Sequence, residues 1–132
     1  MIRLLIFLFV PFFLTGQNIR ITQSDTYERH TELRWDVQNL TNVEYFRIMR
    51  SSDNKAFFPV KTVTSATYMD FSSTDKLDTF YYYIEALSGL NQSLGTSDTI
   101  QAIEYTMTDA ELMDMVQRYT FRYFWDKGHP VS

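Results

Sequence analysis

Between Gln17 and Glu104 apolar and polar residues alternate in short runs, and turn clusters close most of them. Leu33, Trp35 and Val37 alternate with Glu32, Arg34 and Asp36, the period-two pattern of a strand with one buried face. Ile19 and Ile21 alternate in the same way with Arg20 and Thr22. In Tyr45–Arg50, Phe46 and Ile48 face inward while Arg47 and Arg50 face or edge outward. Ser51-Ser52-Asp53-Asn54-Lys55 is a turn cluster, and Pro59 puts the next strand, Phe57–Val63, on a sheet edge. Thr67–Phe71 and Thr79–Leu87 follow, the latter with Phe80, Tyr82, Ile84 and Ala86 on one side. After Ser88–Ser93 the chain turns, and Thr96–Glu104 closes the set. Short strands at this spacing predict a seven-stranded Greek-key β-sandwich in a mainly β chain.

Four segments in order carry a resemblance over residues 19–104: Leu33-Arg34-Trp35, Phe46–Ser51, Tyr68-Met69-Asp70 and Tyr81–Leu87. Together they resemble a fibronectin type III domain. The resemblance implies that Trp35 packs beneath the aromatic pattern of the sixth strand, to which Tyr82 belongs. The tyrosine-corner position is occupied by Phe80, so that hydrogen bond is expected to be absent or made by Tyr81. Such modules serve as spacers, ligand binders and docking platforms, so the fold names no function.

Beyond a short junction, residues 105–107, the pattern changes to helical. Thr108 and Glu111 form a capping box, flanked by Met107 and Leu112 as a hydrophobic staple. Leu112, Met115, Val116, Tyr119 and Tyr123 recur on one helical face. Asp114 with Arg118, and Arg122 with Asp126, are spaced for ion pairs along the exposed side. Phe121 and Trp125 fall opposite the apolar stripe, so the last turns expect protein on more than one side.

The first sixteen residues are expected to be a signal peptide: Arg3 precedes the apolar run Leu4–Leu14, with Thr15-Gly16 before the cut. The run is too short for a comfortable membrane span. Export places the mature protein in the periplasm or outside the cell, with no membrane association after cleavage. The chain has no cysteine, which excludes disulfides, thiol chemistry and a lipid-modified cysteine anchor. A formal charge of −4 without a basic block speaks against nucleic acid as a partner. Asn39-Leu40-Thr41 and Asn91-Gln92-Ser93 match a glycosylation tripeptide that also arises by chance.

Candidate chemistry is sparse. His30 and His129 are the only histidines, far apart, and His30 lies in the polar run Glu28–Glu32, read as a solvated loop. No metal-ligand spacing, phosphate loop or nucleophile elbow occurs, so no metal or cofactor is expected. Asp36, Asp53, Asp70, Asp75, Asp78 and Asp98 fall on strand edges or in turns and read as solvated or capping acids. Asp109, Glu111 and Asp114 suit the positive end of the helix dipole. No pair has a claim to glycosidase catalysis, which needs two carboxyls facing each other across a sugar. Trp125 and His129 are the candidates for sugar contact, with core packing as the competing role.

The helical segment carries a second resemblance. Thr108–Arg118, then Thr120-Phe121-Arg122-Tyr123-Phe124-Trp125-Asp126, then His129-Pro130-Val131-Ser132 resemble the opening of the bacterial glucoamylase-like family that includes endo-β-1,2-glucanases. The resemblance implies that residues 108–132 begin an (α/α)6 barrel, truncated here, with the preceding sandwich as an accessory docking or spacer module. It further implies β-glucan or an oligosaccharide as partner, bound through the absent helical domain against which the helix packs. The family's catalytic acids would lie beyond Ser132, so no catalytic residue is assigned. The competing expectation is a complete, small secreted binding or adhesion module without enzymatic activity.

Overall fold

The computed structural model describes residues 18–72 and 76–127. The expected export segment, residues 1–16, and His129 lie outside them. Among the described residues eight strands precede one helix: β1 (Ile19–Thr26), β2 (His30–Val37), β3 (Tyr45–Ser51), β4 (Phe58–Val63), β5 (Thr67–Phe71), β6 (Thr79–Leu87), β7 (Ser93–Thr96), β8 (Ile100–Ile103) and α1 (Asp109–Lys127).

The strands form two antiparallel sheets, β1-β2-β5 and β4-β3-β6-β7, with β8 also paired to β6. The expected mainly β sandwich is therefore what the chain folds into, with one change at its end. The predicted last strand, Thr96–Glu104, forms only as β8, and an additional strand, β7, precedes it, starting at Ser93 of the expected turn. β7 pairs with Glu85–Leu87 and β8 with Thr79–Tyr82, so one edge is built in two pieces. The break falls at Ser97, whose hydroxyl accepts from the Ile84 N–H (2.9 Å) and donates to the Asp98 carbonyl (2.9 Å). A side chain that takes a ladder position interrupts the backbone alternation, which residue periodicity does not register. β4 is an edge strand, as Pro59 demands, and it bulges beside that proline between Lys61 and Pro59.

Inward residues of both sheets fill the core: Ile19, Leu33 and Trp35 from one, Phe46, Ile48, Phe80, Tyr82, Ile84 and Ala86 from the other. Trp35 meets Phe46 edge-on, ring centres 5.5 Å apart. No tyrosine corner forms at Phe80 or Tyr81. Tyr81 has the opposite parity on β6, where it accepts from Gln101 (3.3 Å), and Phe80 lies under the Arg50 guanidinium (4.8 Å).

Among the described residues four other than glycine have positive φ, Asn39, Asn42, Asn54 and Asn91, at 59–66°. Asparagine tolerates the left-handed region because its short polar side chain bonds locally. Asn39 and Asn91 thus have a turn role that accounts for the two glycosylation-like tripeptides. In the Asn54 turn, Asp53 accepts from the Lys55 N–H (2.8 Å), the Ala56 N–H (3.0 Å) and the Ser51 hydroxyl (2.8 Å). Those donors hold its carboxyl below the usual carboxylate range.

The capping box forms as spaced. Glu111 N–H donates to Thr108 Oγ1, and Thr108 N–H donates to Glu111 Oε1, both at 3.1 Å. Thr108→Ala is expected to cost the helix about 1 kcal/mol, and so to raise amide exchange in its first turn about fivefold. Hydrogen exchange confined to Asp109–Leu112 checks this. An unchanged rate there would mean that docking, not capping, sets the start of α1.

Candidate functional site

α1 lies on the outer face of the β1-β2-β5 sheet, and the contact is polar. On β2 the inward residues are Thr31, Leu33 and Trp35, so His30, Glu32 and Arg34 point away from the core. Solvent is the ordinary destination of such a face. Here His30 and Glu32 are only 6% and 4% exposed, because α1 covers them. His30 as a solvated loop residue is thus corrected: it opens β2 and is buried beneath a helix 89 residues further along.

Tyr119 is the hub of the contact. His30 Nε2 lies 2.9 Å from its hydroxyl, and that hydroxyl donates to Glu32 Oε2 at 3.2 Å. An ionised carboxylate only accepts, so the phenol's single proton goes to Glu32 and His30 must donate from Nε2. Arg122 completes the clasp with two parallel bonds to Glu32, 2.8 Å to Oε1 and 3.2 Å to Oε2. A planar guanidinium matches both carboxylate oxygens in this way, which fixes orientation as well as distance. Arg34 lies 3.5 Å from Glu32 on the same sheet face. The expected Arg122–Asp126 ion pair is displaced by this partner, since Arg122 turns inward to Glu32. The Asp114–Arg118 pair forms as spaced, at 3.2 Å.

Aromatic rings pack around these groups. Tyr27 stacks on His30 (4.7 Å) and meets Tyr119 edge-on (6.2 Å), while Phe71 tilts against His30 (5.3 Å). Arg118 lies over the Tyr27 ring at 5.9 Å and Arg122 over Tyr119 at 4.8 Å. The junction is tied down where Met107 N–H donates to Glu28 Oε1 (2.9 Å). Met107 and the staple residue Leu112 line one cavity of about 140 Å³ with Tyr27, His30 and Met115.

The electrostatics follow. Burial opposes ionisation of Glu32, but the Arg122 bonds, the Tyr119 hydroxyl and Arg34 outweigh it and hold the carboxyl below its ordinary range. Burial lowers the imidazole of His30, and Glu32 only partly offsets this. Tyr119 is raised by burial first and then by the nearby Tyr27 and Glu32. A carboxylate saturated by two arginines and a phenol is a poor proton donor. The arrangement joins the helix to the sheet.

The rest of α1 is open. None of its residues is fully buried, and of the predicted apolar stripe Leu112, Met115 and Tyr119 reach the sheet side while Val116 and Tyr123 stay exposed. Phe121 and Trp125 stack on each other (6.1 Å, 14°) while 68% and 60% exposed. Of the two candidate sugar contacts the structure places only Trp125, on this open surface. Among the described residues no cluster of three metal-ligating side chains occurs, and no helix is long and apolar enough to cross a membrane.

A second polar cluster pins the two sheets together. Asp70 Oδ2 accepts from the Tyr82 hydroxyl (2.6 Å) and from Arg50 Nη1 (2.8 Å). Asp70 is buried, not a solvated edge acid, because it faces Thr31 across the β2–β5 ladder and shares that residue's inward parity. Burial, then Asp70, raises the Tyr82 phenol well above its usual range.

The chain is 34% identical over 114 residues to the exo beta-1,2-glucooligosaccharide sophorohydrolase (non-reducing end) of Parabacteroides distasonis, covering 85% of this chain and 16% of that protein. It superposes on the crystal structure of a beta-1,2-glucanase from Parabacteroides distasonis with a TM-score of 0.70 at 31% identity, again covering 85% and 16%. The sixth fibronectin type III domain of human fibronectin type III domain containing protein 3 matches with a TM-score of 0.53 at 14% identity, over 70% of this chain and 91% of that domain. That likeness shows the fold, a fibronectin type III-like sandwich. No family model matches the chain. The chain is homologous to one part of the bacterial protein and spans about 16% of its length. Because β8 ends at Ile103, a match covering 85% of 132 residues takes in the start of α1 as well as the sandwich.

Proposed function

We propose that this chain is the accessory, docking part of an exported bacterial glycoside hydrolase acting on β-1,2-glucan or its oligosaccharides. The observation that carries the reading is the extent of the likeness, which continues past the sandwich into α1. A sandwich shared only as a common fold would leave the helix unmatched. The clasp supports the same reading: the sandwich holds the helix through Tyr119 and Arg122 and leaves Phe121, Tyr123, Phe124 and Trp125 outward. Large exposed aromatics in one run mark a surface that other protein or a ligand covers. They weigh against a self-sufficient binding module, whose helix would also cover these rings against its own domain.

In this proposal residues 1–16 direct export, residues 17–104 form the docking module, and 108–132 begin the α-helical catalytic domain. The catalytic acids reside in that domain, and the chain's own candidates for sugar contact are Trp125 and His129. The test is to express the whole reading frame from its genomic locus and incubate it with β-1,2-linked glucooligosaccharides. Release of a glucose disaccharide, together with no hydrolysis by residues 17–132 alone, is the expected result. A full product inert on β-1,2-linked substrates would overturn the reading, and so would a frame that ends at Ser132.

A further inference from the structure

We infer that the clasp is a pH-sensitive latch: His30, Tyr119 and Glu32 hold α1 on the sandwich at neutral pH and loosen it in mildly acidic surroundings. The geometry leaves His30 one comfortable state. Its Nε2–H is committed to Tyr119 at 2.9 Å, its ring lies against Tyr27 at 4.7 Å, and α1 shields it from water. A second proton, on Nδ1, would place a full charge in that enclosed position. Undocking returns the imidazolium to water, so acid favours the open arrangement.

The groups around His30 come from every element packed on it. From β2 comes Glu32, the one carboxylate within the clasp, already engaged by Arg122 and Tyr119. From the β1–β2 turn come Tyr27, Glu28 and Arg29, of which Glu28 is bonded to the Met107 N–H. β5 offers only the Phe71 ring. From α1 come Tyr119, Arg118 over Tyr27, and Arg122 on Glu32. The attraction of Glu32 is thus opposed by burial and shared with a guanidinium.

Both titrations act in one direction. The imidazole is depressed from its ordinary 6.5 by burial, so the docked state is fully favoured above that value and loses ground as pH falls through the depressed one. The Glu32 carboxyl is also depressed, from 4.5, despite its burial, so its contribution is lost at still lower pH. The latch does not depend on which substrate the helical domain takes.

Because the chain has no cysteine, dyes can be attached at cysteines introduced for Asp98 and Gln117, exposed positions on the β7–β8 connection and on α1. Energy transfer between them is read from pH 7.5 to about 5 on the 132-residue chain, with circular dichroism following the sandwich. The expected result is one docked population at neutral pH and a several-fold loss of it below the ordinary histidine range, with the sheet signal unchanged. His30→Gln retains an N–H donor toward Tyr119 and cannot titrate, so it should abolish that loss. Tyr119→Phe removes the hub and should open the helix at every pH. Constant transfer in the parent chain would overturn the latch. So would an identical acid profile in His30→Gln, or loss of the sheet signal together with transfer.

Discussion

Replacing Trp35 with alanine is expected to destabilise the sandwich by about 3–5 kcal/mol, the range for deleting a large aromatic from a packed core. Trp35 sits between the sheets at 2% exposure against Phe46 and among the buried aliphatic residues, so its removal leaves a cavity that two hydrogen-bonded sheets cannot close. For a domain of this size that loss corresponds to a fall of roughly 20 °C in the unfolding midpoint. Trp35→Phe separates volume from polarity. The indole Nε1–H is buried without an acceptor among the described residues, and a phenyl ring removes that unpaired donor while keeping most of the fill. The phenylalanine variant is therefore expected to lose less than about 2 kcal/mol. Calorimetry on both variants decides the matter: equal losses would mean that the indole donor, not the ring, holds the site.

Asp70→Ala is expected to cost about 3 kcal/mol, the lower end for breaking a buried ion pair, because Arg50 retains 31% side-chain exposure and recovers some hydration. The loss has two parts. Arg50 loses its carboxylate partner, and the buried Tyr82 hydroxyl loses the acceptor that receives its proton. Tyr82→Phe removes only the second part and should cost about 1.5–3 kcal/mol, the value of a hydrogen bond to a charged group. Combining the two substitutions should cost less than the sum of the single losses, since both delete one shared bond. Denaturant unfolding of the three variants measures that coupling. Strict additivity would show that Asp70 and Tyr82 do not act as one pin between the sheets.

The strands were legible because one face of each meets the core. Leu33 with Trp35, Phe46 with Ile48, and Phe80 through Ala86 alternate at period two, and the burial follows that parity. The capping box was legible for a similar reason, since both partners lie within one turn of helix. Pro59 marked an edge through the donor it lacks. The extra strand β7 ahead of the predicted last one was not legible, because a serine hydroxyl in place of a ladder partner leaves no trace in an apolar–polar pattern. Asp70 looked like a turn acid because parity was not carried through Thr67–Phe71, where burial is partial and the pattern weak.

The clasp was the least legible part. Tyr119 was already on the helical stripe, and Glu32 and His30 were already on the outward face of β2. What local spacing could not supply was their meeting, since the partners lie 87–90 residues apart. By itself the sequence determined the sandwich, the start of the helix and the side of each strand that faces the core, because these depend on contacts within an element or on its parity. Only the tertiary structure decided that the polar outer face of β2 is covered. Parity tells which way a side chain points, and the fold alone brings the helix that lies there to meet it.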